Sequence, residues 1–117
     1  MNKFTELKEV SLGICPLDSE LIFINESNHQ VGSLLLCYSS DNTANIFSVT
    51  VLEKYRGKKY GKKLIEFAIE KAKSKGLDEI GLSTEVENTV ANNLYKSFGF
   101  KLNGVKDEYN NYSLRLK

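Results

Sequence analysis

The chain is poor in the residues that build metal centres and disulfide frameworks. Its 117 residues include one histidine, His29, and two cysteines, Cys15 and Cys37. None of these falls in a C-x-x-C or H-x-x-H spacing, so no metal site is expected. Cys37 lies in the apolar run SLLLCY and reads as a buried small hydrophobe rather than as half of a Cys15–Cys37 disulfide. Pro16 is the only proline, and no linker, repeat or low-complexity stretch divides the chain. No apolar run approaches the ~18–20 residues needed to cross a bilayer. The opening MNKFTELKEV is too polar for a secretory signal. The expectation is one soluble, cytoplasmic domain over residues 1–117, with no membrane partner.

Net charge is scarce and uneven in place. The formal net charge is only +1, but residues 1–50 hold two basic and six acidic residues, and residues 51–117 hold fourteen and nine. The basic excess gathers between Lys54 and Lys63. A nucleic-acid partner calls for a wider basic face than this; a tight cluster suits a small, highly charged anion.

The first half has strand character. ELIFINE (20–26), VGSLLLCYSS (31–40) and ANIFSVTV (44–51) are separated by polar turns, and the last places Phe47, Val49 and Val51 against Ser48 and Thr50 with period two. From Tyr60 to Lys75 the period becomes helical: Leu64, Ile65, Ala68, Ile69 and Ala72 form one stripe, and Gly76 suits a left-handed cap. DEIGLS (78–83) is a short strand. Asn88 and Thr89 are candidate caps of a second helix carrying Ala91, Leu94, Tyr95 and Phe98, which Gly99 ends. FKLNGV and NYSLRLK make a final pair of strands. Strands 44–51 and 78–83, joined through a helix, should run parallel within an otherwise antiparallel sheet.

The basic cluster sits oddly. A helix N-terminus carries partial positive charge and unpaired N–H groups, and so favours carboxylates. Here Lys58, Lys59, Lys62 and Lys63 surround that entry. A bound anion would resolve the conflict, since a strand-to-helix turn is a common phosphate site and Gly57 and Gly61 allow close backbone approach. Alternatively the lysines solvate an exposed turn, at a cost of only ~0.3–1 kcal/mol each. The turn is not a Walker A loop: three residues separate Gly57 from Gly61, and Lys63 stands where a magnesium-binding hydroxyl would be. The dinucleotide fingerprint is missing as well.

VTVLEKYRGKKYGKKLIEFA followed by NTVANNLYKSFGF resembles the GNAT superfamily of acetyl-CoA-dependent N-acetyltransferases. The first family motif, [Q/R]-x-x-G-x-[G/A], reads Arg56-Gly57-Lys58-Lys59-Tyr60-Gly61, with Lys59 in place of the middle glycine. The second, N-x-x-A-x-x-L-Y-x-x-x-G-F, is matched by Asn88, Ala91, Leu94, Tyr95, Gly99 and Phe100. The resemblance implies a three-layer α/β fold of mixed α+β type, with a central sheet of about six strands flanked by helices. It implies a diphosphate held by backbone N–H groups of Arg56, Gly57, Lys58, Lys59, Tyr60, Gly61 and Lys62. It implies a pantetheine arm lying along Val49, Thr50 and Val51, strands that splay to admit the thioester, and contacts from Asn88 and Tyr95.

The chemistry so implied is acyl transfer to a neutral primary amine by direct attack in a ternary complex. A backbone N–H near Val51 would face the carbonyl oxygen. The Tyr95 hydroxyl would act as general acid toward the leaving thiolate. Where some family members carry a glutamate, Ser83 stands here. Glu85 is the candidate base if the strand continues far enough to turn it to the same side; Glu87, Asp107 and Glu108 have no better support, and a water relay stays open. A negative φ at Lys59 would let lysine fit and add charge. About twenty residues precede LIFINE, too few for a strand and a full helix pair, so a reduced N-terminal helical region and an open acceptor side are expected. That would suit an exposed protein or peptide amine, or a wall donated by a second subunit in a homodimer. A non-catalytic acyl-CoA-binding or sensing module, and a small RNA- or protein-binding domain, are the alternative readings.

Overall fold

The computed structural model describes residues 5–11, 19–57 and 59–117, the first of these segments by its backbone alone. Strands β1 (Thr5–Ser11), β2 (Ser19–Glu26), β3 (His29–Tyr38) and β4 (Thr43–Val51) form an antiparallel meander. The β2–β3 link is two residues long, and both Ser27 and Asn28 are left-handed, which matches the turn to the twist of its strands. A 3-10 turn (Glu53–Tyr55) leads to helix α1 (Tyr60–Ser74). Strand β5 (Glu79–Glu85), helix α2 (Thr89–Ser97) and the hairpin of β6 (Lys101–Lys106) and β7 (Tyr109–Arg115) complete the chain. The seven strands form one mixed sheet, ordered β1-β2-β3-β4-β5-β7-β6, and the β4–β5 pair is parallel as its helical crossover requires.

One core holds these parts together. Ile22, Ile24, Leu34, Leu36, Ile46, Ile80 and Leu82 project from one face of the sheet onto Leu64, Ile65, Ala68 and Ile69 of α1. Helix α2 lies on the same face: Tyr95 meets the ring of Tyr112, which is paired with Leu82. The approach of α1 is close enough to need Gly32, where a Cβ would stand 2.9 Å from the Thr50 carbonyl oxygen and 3.2 Å from Leu64 Cδ1. Cys37 is buried as the sequence suggests, while Cys15 lies outside the described residues.

The period-two reading of β4 needs correction. The register on β3 slips between Ser33 and Leu35, so one residue of β4 is extra, and Ser48 takes a left-handed φ of 55°. This is a β-bulge. It keeps Val49 and Val51 packed against the core but leaves Phe47 on the opposite face, half exposed. A regular strand would have put all three on one side.

Candidate active site

Strands β4 and β5 part company at a defined place. They pair from Thr43↔Glu79 to Ile46↔Leu82 and no further, although β4 runs on to Val51 and β5 to Glu85. Beyond that point β4 keeps β3 on one side and pairs with no described strand on the other, where its edge is free among the described residues. The bulge at Ser48 falls at the start of the gap. The splay implied by the family resemblance is therefore present, and Val49, Thr50 and Val51 lie along its free edge.

At the top of the gap the chain turns into α1. Lys59 is the N-cap residue, its side chain caps nothing, and the first turn holds no acidic residue. Lysine has no acceptor atom to offer, so among the described residues the first N–H groups of α1 have no side-chain partner. Gly57 is left-handed at φ 82° with nothing within 4 Å of a would-be Cβ. Gly61 differs: its φ is unremarkable, and a Cβ would only reach ordinary contact, 3.9 Å from Val51 Cγ2. Nothing in the protein itself demands glycine at 61, so the empty space there is room for a ligand. Arg56 folds back, its Nε donating to the Val51 carbonyl at 3.0 Å, and so ties the loop to the strand end. Tyr60 is buried beside Tyr55, so only its backbone N–H is available to an anion. Gly57, Lys59 and Lys62 are at the surface, and Lys58 lies outside the described residues. Uncapped N–H groups, a glycine-made space and surrounding lysines together fit a diphosphate.

Lys59 overturns one expectation. Its φ is +69°, not negative, so lysine holds the left-handed shape that suits the glycine usual at this motif position. That conformation costs an L-residue ~1–2 kcal/mol, partly offset because glycine loses more entropy on folding. Lys59→Gly is expected to raise stability by about 0.5–1 kcal/mol in urea unfolding. A loss of stability would contradict the left-handed assignment.

On the β5 side of the gap the chain turns into α2, which starts at the same end of the parallel pair as α1. Asn88 caps this helix, its Oδ1 accepting from the Ala91 N–H at 3.2 Å. Its amide group remains available to a ligand. Two buried tyrosines sit behind it. Tyr112 donates its hydroxyl to Asn92 Oδ1 at 2.5 Å. Tyr95 packs edge-on against Phe100, and its hydroxyl has no hydrogen-bond partner among the described residues. Burial pushes the Tyr95 phenol above its ordinary value, so it stays protonated and able to donate.

Asn92 was missed by the sequence reading. It is nearly fully buried, donates from Nδ2 to the carbonyls of Asn88 (2.8 Å) and Glu85 (3.0 Å), and accepts from Tyr112 and from Asn110 Nδ2 (2.8 Å). One side chain thus joins the start of α2 to the end of β5 and to β7. The available signal was an asparagine on the apolar side of the helix, four residues after the cap and three before Tyr95.

Strand β5 does continue to Glu85, so Glu85 shares a face with Ser83. That is the face away from the helices, where Ser83 donates its hydroxyl to Asn111 Oδ1 and Glu85 is exposed. Tyr95 and Glu85 therefore lie on opposite sides of the sheet, with the β4–β5 gap between them. Glu87 is exposed after β5, and Asp107 and Glu108 form the β6–β7 turn.

Residues 5–100 match the model of the Acetyltransferase (GNAT) family. N-alpha-acetyltransferase 30 of Saccharomyces cerevisiae is 50% identical over 52 residues, covering 44% of this chain and 30% of that protein. Streptothricin acetyltransferase of Escherichia coli is 39% identical over 75 residues, covering 64% of this chain and 43% of the relative. The chain thus spans less than half the length of either relative. The crystal structure of the ribosomal-protein-S18-alanine N-acetyltransferase from Escherichia coli superposes with a TM-score of 0.84, covering 97% of this chain and 95% of that one at 13% identity, a likeness of fold alone. With the family match running through both motifs and the gap between their strands, the chain belongs to the GNAT acetyltransferase family.

Proposed function

We propose that the protein is an N-acetyltransferase that moves an acetyl group from acetyl-CoA to a primary amine by direct attack in a ternary complex. The observation that carries this reading is the β4–β5 gap, which opens at the strand ends that lead into the start of α1 and into α2, the helix that carries Tyr95. Acetyl-CoA supplies the activated acyl group, and every other role falls to the chain. The backbone N–H groups of the Arg56–Lys62 loop hold the diphosphate, with the lysines adding attraction. The free edge of Val49–Val51 pairs with the pantetheine amides as a further strand would, and the Asn88 amide reaches the same arm. A β4 backbone N–H polarises the carbonyl. Tyr95 protonates the departing sulfur, and Glu85 takes the proton from the amine on the other face. The acceptor is an exposed protein or peptide amine. A cytoplasmic location belongs to the same proposal.

A non-catalytic acyl-CoA-binding module is the second reading. It is favoured by Ser83 standing where the family resemblance implies a glutamate in some members. The two readings separate cheaply. Acetyl-CoA at ~100 times its dissociation constant should stabilise the fold by about 2.7 kcal/mol. Both readings fail if thermal unfolding is indifferent to the ligand. A shift without release of free thiol across a panel of amines favours the binding module.

A further inference from the structure

The mouth of the gap on the face that carries no described helix has two unlike banks. Phe47, the first β4 residue past the last β4–β5 pair, projects there and is 50% exposed. Beside it on β3 stands Leu35, its cross-strand partner. Across the gap the bank is polar: Ser83 hydrogen-bonded to Asn111, then Glu85. This polar bank continues into a groove of about 350 Å³ lined by Asn45, Gly81, Ser83, Asn111 and Ser113. The bulge creates the asymmetry, because without the extra residue Phe47 and the core-facing Val49 and Val51 would share one side. Ser48 accepts a left-handed φ to maintain it.

We propose that Phe47 selects the acceptor, and that the acceptor is an α-amine whose carbon carries a bulky apolar side chain. This rests on the acetyltransferase reading above and adds the substrate class to it. The substituents of such an amine match the two banks. An amino-terminal α-carbon bears the reacting nitrogen, a side chain and a peptide carbonyl. With the nitrogen directed into the gap, the side chain meets the Phe47–Leu35 bank, and the carbonyl and following amide meet the Ser83–Asn111 bank. A lysine ε-amine sits on an unbranched methylene and has no polar group to offer the second bank. Contact with a half-exposed aromatic ring removes apolar surface of both partners from water.

The test uses three conjugates in which the sulfur of coenzyme A is joined through an acetyl bridge to an amine. One carries the α-nitrogen of a leucine-first peptide, one that of the same peptide beginning with glycine, and one a lysine Nε. Binding is measured by calorimetry to the wild-type chain, to Phe47→Ala and to Phe47→Leu. Wild type should bind the leucine conjugate about tenfold tighter than the other two, as a filled apolar subsite provides. Phe47→Ala should shrink that ratio to about twofold, with Phe47→Leu keeping most of it and affinity for free coenzyme A unchanged in both. Equal binding of the three conjugates by wild type overturns the proposal alone, as does a Phe47→Ala variant that weakens all three equally. If free coenzyme A does not bind, the acetyltransferase reading falls and this proposal with it.

Discussion

Tyr95→Phe is expected to lower kcat by at least about 100-fold while leaving the acetyl-CoA-induced thermal shift intact, the usual range for loss of a general acid being ~10²–10⁴. The substitution removes only an oxygen. The ring keeps its edge-on contact with Phe100 and its tilt against Tyr112. No hydrogen bond to a described residue is lost, because the hydroxyl makes none. A structural role therefore predicts little change in either stability or turnover. The neighbouring Tyr112 hydroxyl cannot take over, since it is committed to Asn92. Turnover within about threefold of wild type would remove Tyr95 from the chemistry and leave the proton to solvent.

The pH dependence follows from the same residue. Burial disfavours the phenolate, so the folded-state value lies above the ordinary 10.0. The acid form, which donates, is then retained throughout the neutral range. Any fall in kcat due to Tyr95 belongs above about pH 10 and disappears in Tyr95→Phe. Stability has the same sign. The folded state holds this proton more tightly than the unfolded one, so its contribution is full below the unfolded value and is lost as pH rises through the folded one. A Tyr95-dependent fall in kcat near neutrality would contradict the burial seen here.

Asn92→Ala is expected to destabilise the fold by roughly 2–4 kcal/mol, measured as a lower urea midpoint at unchanged slope. The truncation leaves the Tyr112 hydroxyl and Asn110 amide without their acceptor, and strips the Asn88 and Glu85 carbonyls of a donor. A buried polar group left unsatisfied costs ~1–3 kcal/mol, and water entering at the part-buried end limits the sum. Tyr112→Phe removes a single arm of the network and should cost about 1 kcal/mol. Because both changes break the same bond, the double variant should be less destabilised than the two effects added. Simple additivity would mean that the Asn92–Tyr112 bond contributes nothing.

Much of the site could be read along the chain because its signals are local. The Arg56–Gly61 and Asn88–Phe100 motifs are short, and the helix that the first opens and the helix that the second contains each show their buried stripe through spacing alone. Gly76 at a helix end and Asn88 at a helix start are equally local, since each acts on backbone within one turn. Lys59 marks the limit of that reading. Whether its φ was negative or positive depended on how the loop closes between Val51 and α1, which residue identity does not fix. Asn92 was passed over for a related reason: an asparagine on an apolar helix side has value only if Asn110 and Tyr112, eighteen and twenty residues away, arrive to satisfy it.

The sequence by itself determined the order of strands and helices from β2 onward, the parallel crossover, the basic strand-to-helix turn as a candidate anion site and Tyr95 as a candidate acid. These follow from periodicity and short motifs, which act over a few residues. Only the tertiary structure decided where β4 and β5 separate, that the Tyr112 hydroxyl is committed to Asn92, that Tyr95 and Glu85 lie on opposite sides of the sheet, and that Phe47 faces away from the core. Each of those depends on register between strands distant in the chain. A single extra residue in one strand turns its later side chains over, and nothing in the local pattern of β4 announces it.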